Sequence, residues 1–86
     1  MLIVNETTVR RVSLGYLRRR CRRTLCVFVD QAEATSDLIT SRRPPLSPAD
    51  RVKLLAYRKD ERTAQAEYMR ARLRLIRALA PDLKFR

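Results

Sequence analysis

Seven arginines lie between positions 10 and 23 of this 86-residue chain, and no acidic residue lies among them. They are Arg10, Arg11, Arg18, Arg19, Arg20, Arg22 and Arg23. Like charges at helical spacing repel one another, and such a run lowers stability less when a polyanion binds it. The guanidinium group also binds phosphate oxygens through two parallel hydrogen bonds. The run therefore predicts a surface that binds a phosphate polymer.

A second row of arginines recurs at helical spacing near the other end of the chain. Arg70, Arg74 and Arg77 follow Glu67 at intervals of three, four and three residues, so these side chains share one line of a helix. The three arginines cover roughly 10 Å at about 1.5 Å per residue, which suits contact with successive phosphates. A solvated face without a ligand is the alternative for any single row of this kind.

The first arginine run divides between two sides of a helix. Arg18 and Arg22 share one side and Arg19 and Arg23 share another, so the whole run cannot contact one straight duplex. One pair would bind the ligand, while the other covers apolar surface or pairs with acids. The predicted nucleic-acid-binding residues are Arg18, Arg19, Arg22, Arg23, Arg70, Arg74 and Arg77.

The whole chain is strongly basic. Its 17 arginines and 3 lysines against 9 acidic residues give a net charge of +11. The excess is +5 over residues 1–43 and +6 over residues 44–86, which predicts that the positive charge belongs to the surface of the fold and not to a basic tail. No stretch approaches the roughly 20 apolar residues of a membrane span, and Glu6 follows the apolar start of the chain closely. We therefore expect neither a secretory signal nor a membrane partner.

Residue types needed for catalysis or metal binding are scarce. The chain has no histidine and two cysteines, whereas a zinc site needs about four nitrogen or sulfur ligands. Asp60 and Glu61 are consecutive, which places them on different faces of a helix, and a single glycine cannot form a phosphate-binding loop. We expect no enzyme activity, no metal and no cofactor. We interpret Cys21 and Cys26 as reduced thiols of an intracellular protein, cytoplasmic or nuclear.

Prolines divide the chain into two long helices. Pro44 and Pro45 cannot lie inside a helix. Ser47 followed by Pro48 has the pattern of an N-cap and a first-turn proline, and Asp50 that of a capping acid. The predicted fold is all-α, a single antiparallel helical hairpin with helices at about 6–41 and 48–80, an N-terminal arm (1–5), a proline turn (42–47) and a C-terminal tail (81–86). The strand-like composition of residues 24–29 leaves a strand there as the alternative.

Each predicted helix carries two apolar stripes, which is more apolar surface than packing against one neighbour requires. On the first helix the stripes are Leu14, Leu17, Cys21, Leu25, Phe28, Ala32 and Ile39, and opposite them Val9, Val12, Tyr16, Val27 and Leu38. On the second they are Leu55, Ala66, Met69, Leu73, Ile76 and Ala80, and opposite them Leu54, Tyr57, Ala64, Tyr68, Leu75 and Leu79. The surplus predicts a homodimer in which two hairpins form a four-helix bundle. The predicted dimer interface comprises Tyr57, Tyr68, Leu75 and Leu79.

The tyrosines at positions 16, 57 and 68 lie on these apolar stripes. We therefore interpret them as core or interface residues rather than as platforms that stack bases. The helices are also too long, and the turn too rich in proline, for a helix-turn-helix motif. Base-specific recognition is not expected, and phosphate-directed binding would depend on salt more than on sequence.

Sequence-independent nucleic-acid binding through arginine rows on long helices is the predicted function. Duplex RNA is favoured because it is recognised by its shape and its backbone. In helix count and charge, a dimer of basic hairpins is similar to the plasmid copy-number RNA-binding proteins and the nodavirus suppressors of RNA silencing, which implies a regulatory or silencing-suppressor role. The alternative is a small protein-interaction module, an adaptor, chaperone or assembly subunit, whose surplus apolar surface docks an acidic helical partner.

Overall fold

Two helices packed side by side form the part of the chain that the structure describes. This structure is a computed structural model that describes residues 6–82, with side chains from residue 14 onward. Helix α1 spans Glu6–Ser41 and helix α2 spans Pro48–Leu79, and the two pack as an antiparallel hairpin. The predicted all-α hairpin is confirmed, with α2 ending one residue before the predicted position 80.

Two predicted terminal segments fall partly or wholly beyond this range. The predicted N-terminal arm (1–5) lies outside the described residues, as does the end of the predicted C-terminal tail (83–86). Ala80 follows α2 and donates its backbone N–H to the Ile76 carbonyl at 2.8 Å.

The turn between the helices is built from the residues that mark it in the sequence. Ser47 has an extended backbone, with φ −64° and ψ 158°, and its hydroxyl accepts a hydrogen bond from the Asp50 amide at 3.1 Å. The Arg51 amide donates to the Ser47 carbonyl at 2.9 Å and closes the first turn of α2. Arg42 pairs with Asp50, with 3.5 Å between Nε and Oδ2, and so links the end of α1 to the start of α2. The predicted N-cap is confirmed.

Helix α1 continues without interruption through residues 24–29, where a strand was the alternative. Thr24, the β-branched residue at the start of this stretch, forms its side-chain hydrogen bonds within α1. The Thr24 hydroxyl donates to the carbonyls of Arg20 at 2.9 Å and Cys21 at 3.0 Å. The strand propensity of residues 24–29 is overridden because packing against α2 stabilises a continuous helical face. The strand alternative is therefore wrong.

The helices meet along a seam, defined here as the facing residues that repeat at alternating intervals of three and four. On α1 it comprises Leu14, Leu17, Cys21, Thr24, Phe28, Gln31, Thr35 and Leu38. On α2 it comprises Asp50, Leu54, Tyr57, Glu61, Ala64, Tyr68, Ala71 and Leu75. Every member is buried or half-buried. The intervals average about 3.5 residues, the period of helices that stay in contact along their length.

Aromatic and small side chains alternate in the middle of the seam. Phe28 of α1 stacks on Tyr68 of α2, with ring centroids 6.3 Å apart and ring planes inclined by 21°. Ala64 and Ala71, one turn before and one turn after Tyr68, are only 5% and 2% exposed. Alanine fills these positions without displacing the ring pair, so the two helices pack closely on either side of it.

On α1 the seam departs from the predicted stripes. Leu25 and Ile39, members of the first predicted stripe, are 39% and 52% exposed, while Thr35, which belongs to neither stripe, and Leu38, of the opposite stripe, are buried. Thr35 can be buried because its hydroxyl donates to the Gln31 carbonyl of the same helix at 3.0 Å and needs no partner on α2. The residues that are buried are therefore those that repeat about every 3.5 positions along the contact between the helices. This repeat buries a threonine and leaves a leucine exposed.

On α2 the seam follows one predicted stripe, and much of the other stripe is exposed. Leu54, Tyr57 and Leu75 lie on the seam, whereas Leu55 and Met69 of the other stripe are 67% and 50% exposed. The seam divides the remaining surface of the hairpin into two sides. On each side, the residues of α1 that flank the seam lie next to the residues of α2 that flank it, as in any antiparallel helix pair.

The two sides differ in charge and hydrophobicity. The groove side carries Tyr16, Arg20, Arg23, Val27, Asp30, Ala34 and Asp37 of α1 with Lys53, Ala56, Asp60, Thr63, Glu67, Arg70, Arg74 and Arg77 of α2. The outer face carries Arg18, Arg22, Leu25, Val29, Ala32, Ser36 and Ile39 of α1 with Arg51, Leu55, Arg58, Arg62, Gln65, Met69, Arg72, Ile76 and Leu79 of α2. Across residues 18–79, the outer face holds six arginines and no acidic residue.

Candidate nucleic-acid interface

The hairpin brings the two arginine-rich stretches of the sequence to the same end of the molecule. Because Phe28 contacts Tyr68, residues 14–29 of α1 lie alongside residues 68–79 of α2. These two stretches, here called the arginine end, hold nine arginines and no acidic residue. They are Arg18, Arg19, Arg20, Arg22, Arg23, Arg70, Arg72, Arg74 and Arg77. The clusters are some fifty positions apart in the chain, and antiparallel packing makes them one positive surface.

The other half of the hairpin is electrically balanced. Residues 30–67, here called the turn half, hold seven basic and seven acidic residues. Within the described residues, the positive charge is therefore uneven along the hairpin, although it is even along the chain. Folding the chain back on itself concentrates the positive charge at the end remote from the turn.

A groove between the helices opens on the groove side of the arginine end. Its volume is about 240 Å³, and its walls come from both helices. The lining residues are Tyr16, Arg19, Arg20, Arg23, Thr24, Val27 and Glu67. Arg70 and Arg74 follow Glu67 at three and seven residues along α2, so they extend the same side beyond the groove.

The structure separates the predicted binding residues into two groups. Arg19 and Arg23 line the groove, and Arg70, Arg74 and Arg77 lie on the same side. Arg18 and Arg22 flank the seam on the opposite side and belong to the outer face. Only the first group can contact one straight ligand together. The prediction that all of them bind nucleic acid is not tested by the structure and stays a prediction.

Arg20 completes the groove but is absent from the predicted set. It lies four residues after Tyr16 and three before Arg23, so all three side chains share one flank of α1. This spacing was visible in the sequence. The seam was needed to show that this flank, and not the flank of Arg18 and Arg22, adjoins the arginine row of α2.

The guanidinium groups of the groove are directed toward solvent. Arg19, Arg20, Arg23, Arg70 and Arg74 are all exposed, and none forms an ion pair with a carboxylate of residues 14–82. The ion pair recorded within that range is between Arg42 and Asp50, at the turn. The positive charge of these five arginines is therefore available to an anion.

The residues predicted to form a dimer interface lie in two different environments. Tyr57, Tyr68 and Leu75 belong to the seam and are half-buried between the two helices of one chain. Leu79 lies on the outer face and is 53% exposed. Their role in a dimer stays a prediction. Leu79 apart, the large exposed apolar side chains are other residues, among them Leu25 and Leu55.

The described residues contain neither a metal-binding cluster nor a membrane span. No three histidine, cysteine or acidic side chains within that range are grouped so that they could hold a metal ion. Neither α1 nor α2 contains a stretch that is long and apolar enough to cross a bilayer. Cys21 and Cys26 are free thiols. Comparison with known proteins finds no family model, no curated protein and no solved structure that matches this chain.

Proposed function

We propose that this protein binds nucleic acid through the arginine end, independently of sequence, with duplex RNA as the favoured ligand. The observation that carries the proposal is the convergence of nine arginines from two helices, with no acidic residue among residues 14–29 and 68–79. Guanidinium groups bind phosphate oxygens in pairs, and binding relieves the mutual repulsion that folding creates. The role is one of binding rather than catalysis, and the free thiols suit an intracellular location.

Duplex RNA is favoured over duplex DNA because of how each is recognised. Base-specific binding of DNA usually places one short helix in the major groove, and α2 has 32 residues and begins at a proline turn. The deep, narrow major groove of RNA leaves shape and backbone contacts as the main means of recognition. Arg70 and Arg74 are one turn apart on the groove side and are suited to successive phosphates of one strand.

The test is a binding titration of duplex RNA, duplex DNA and single-stranded RNA, measured by fluorescence anisotropy across a salt series. We expect the duplexes to bind, RNA more tightly, with log affinity falling linearly as log salt concentration rises. Equal affinity at low and high salt would contradict phosphate binding.

A matched pair of variants locates the site. The arginine-end variant replaces Arg23, Arg70 and Arg74 with glutamine, and the turn-half variant replaces Arg43, Arg51 and Lys59 with glutamine. Both remove three positive charges from exposed positions. We expect the first to lose most of its affinity and to show a salt slope lower by roughly one per phosphate contact removed. The turn-half variant should bind nearly as the parent does, and equal losses in the two would reject the assigned site.

The proposal includes a homodimeric four-helix bundle in which the outer face is the interface between the two hairpins. Leu25, Val29, Leu55 and Met69 are exposed there, on both helices of the hairpin. The arginines of two such faces would repel each other, so salt should promote a dimer through this surface while it weakens nucleic-acid binding. Light scattering across the same salt series measures the mass, and a monomer at every salt concentration would reject the dimer.

One observation favours the second candidate function, an interaction module for an acidic helical partner. The outer face combines exposed apolar side chains with six arginines and no acidic residue, which is complementary to an acidic amphipathic helix. A Leu25→Ser/Leu55→Ser double variant separates the two functions. It should abolish docking of such a partner and leave binding to duplex RNA unchanged.

A further inference from the structure

The charged residues of the groove side change sign along the hairpin. Within the arginine end they are all arginines, whereas within the turn half they are four acidic residues and one lysine. The first set is Arg20, Arg23, Arg70, Arg74 and Arg77, and the second is Asp30, Asp37, Lys53, Asp60 and Glu67. The groove side is therefore positive at one end and negative at the other. The outer face has no such division, since it carries no acidic residue across residues 18–79.

The acidic residues of the groove side have no ionic partner among the described residues. All four are exposed, and none forms an ion pair with a basic residue of residues 14–82. Tyr16 and Val27 add apolar surface to the same side, since they are 54% and 46% exposed. Tyr16 is thus not a core residue, and an interface position for it would lie here. Unpaired charges of both signs beside exposed apolar side chains suit a protein partner with the reverse arrangement of charge.

A second copy of the chain has that reverse arrangement when it is turned end for end. In a two-fold symmetric pair, the same patch of both chains forms the contact. If the two groove sides face each other and the axis crosses the hairpin at a right angle, α1 lies antiparallel to α1 of the second copy, and α2 lies antiparallel to its α2. The positive end of each chain then faces the negative end of the other. A pair with both chains in the same direction would place arginines against arginines.

The spacing of the charges gives both helices the same axis. On α1, Arg20 faces Asp37 of the partner subunit when the axis passes between positions 28 and 29. On α2, Arg70 faces Glu67 of the partner subunit when the axis passes between positions 68 and 69. The ring pair of the seam joins positions 28 and 68, with centroids 6.3 Å apart, so the two midpoints lie at the same level of the hairpin. One axis therefore satisfies ion pairs on both helices.

We propose that two copies of this chain pair end for end through their groove sides, and that nucleic acid competes with this pairing. The arginines at positions 20 and 70, which bind acidic residues of the second copy, lie on the surface assigned to the duplex. The paired region of α1, residues 20–37, covers roughly 26 Å at about 1.5 Å per residue, and each ion pair lies at an exposed site and contributes little. The pairing is therefore weak enough for a duplex, with its higher charge density, to displace it. The pairing goes beyond the proposed function, and only the competition rests on that function.

The first experiment measures self-association without nucleic acid, by sedimentation equilibrium. It uses the full chain with Leu25→Ser and Leu55→Ser, which disable a dimer through the outer face, at salt concentrations of about 0.1 M and about 1 M. At the lower concentration the Debye length of about 10 Å reduces repulsion between two chains of charge +11 and retains attraction between groups in contact. We expect a reversible dimer there, with a dissociation constant roughly tenfold higher or more at the upper concentration. A monomer at both concentrations, or a dimer that salt does not weaken, would overturn the pairing.

A matched pair of variants in the same background locates the contact. Asp37→Lys places a lysine opposite Arg20 of the partner subunit, whereas Glu33→Lys makes the same change of charge at an exposed position of α1 outside the groove side. We expect Asp37→Lys to raise the dissociation constant of the pair roughly tenfold or more, and Glu33→Lys to change it much less. Both positions are exposed, so the helical content measured by circular dichroism should not change. Equal effects of the two variants would overturn the assigned surface.

An exchange of two charges tests the register of the pair. Glu67→Arg should weaken the pairing, because arginines of the two chains then face each other on α2. The double variant Glu67→Arg/Arg70→Glu has the net charge of the parent and restores opposite charges across the axis. It should therefore recover most of the parent's affinity. A double variant that pairs as weakly as Glu67→Arg alone would overturn the register.

Competition with nucleic acid is measured by energy transfer between chains that carry donor or acceptor dyes on the exposed thiol of Cys26. An excess of a blunt RNA duplex of about 16 base pairs, added at a salt concentration of about 0.1 M, should abolish the transfer as anisotropy reports binding of the duplex. Transfer that persists while the duplex binds would overturn the competition.

The two proposals fail in different ways. A chain that binds the duplex and does not self-associate would reject the pairing and leave the proposed function standing. A chain that self-associates through this surface and binds no duplex would reject the proposed function and leave the pairing standing.

Discussion

At the scale of single residues, the seam depends on small side chains that lie between larger ones. Ala71 is 2% exposed and Ala64 is 5% exposed, one turn to either side of Tyr68. Close-packed interiors have no room for added methyl groups unless neighbouring side chains leave their rotamers. The two alanines therefore set how closely the helices pack as much as the ring pair does.

Ala71→Leu should destabilise the hairpin by about 1–3 kcal/mol, since the larger side chain cannot fit between the helices. Ala66→Leu is the matched control, because Ala66 lies on the same helix and is exposed. Urea unfolding followed by circular dichroism measures both free energies. Equal stability of the two variants would contradict the buried position of Ala71.

At the scale of the helices, Gly15 lowers the intrinsic stability of α1. Gly15 lies inside α1, where glycine costs about 1 kcal/mol relative to alanine. A Cβ atom built at this position meets its nearest neighbour, a terminal guanidinium nitrogen of Arg19, at 3.7 Å, an ordinary contact distance. The position therefore has space for a methyl group.

Gly15→Ala should stabilise the protein by up to about 1 kcal/mol, because it removes the conformational freedom of glycine without a clash. The midpoint of urea unfolding should rise while the slope of the transition stays constant. A loss of stability would show that the glycine is required by a contact other than those of the described residues.

The start of α2 depends on one hydroxyl. Ser47→Ala should cost about 1 kcal/mol, since the Asp50 amide loses the acceptor that caps the helix. Ser36→Ala is the matched control, because Ser36 is exposed in the interior of α1, where alanine is the better helix former. The midpoint of thermal unfolding should therefore fall for Ser47→Ala and rise for Ser36→Ala. A Ser47→Ala midpoint equal to that of the parent protein would contradict the capping role.

At the scale of the whole molecule, the hairpin is electrically polarised along its length. The arginine end carries nine positive charges with no acidic residue, and the turn half is balanced. Repulsion among like charges lowers the stability of the folded state at low ionic strength, and salt screens it. A bound polyanion should relieve the same repulsion and so stabilise the folded hairpin.

Stability should consequently rise as salt increases from low to moderate concentration. The variant with glutamine at positions 23, 70 and 74 should be more stable than the parent at low salt, by a few tenths of a kcal/mol per charge removed, and less sensitive to salt. The variant with glutamine at positions 43, 51 and 59 should change less, because it removes charge from the balanced half. Thermal unfolding across a salt series measures both, and an identical response from the two would contradict the polarity.

The elements and their limits could be read from the sequence because they depend on local chemistry. Prolines that cannot continue a helix, a serine that caps one and an apolar repeat of three and four residues act within a few positions of one another. The positions of individual leucines could not be read in the same way. Leu25 and Leu38 both continue an apolar repeat, and the structure buries Leu38 and exposes Leu25.

The sequence by itself determined an all-helical hairpin, its proline turn, its net positive charge and the two arginine-rich stretches. The tertiary structure decided which stripe of each helix is buried and which arginines share a surface. The physical reason is that the register between antiparallel helices depends on packing between residues far apart in the chain, such as Phe28 and Tyr68. That register places the arginines of α1 beside those at the end of α2, and it gathers at one end a charge that the chain distributes evenly.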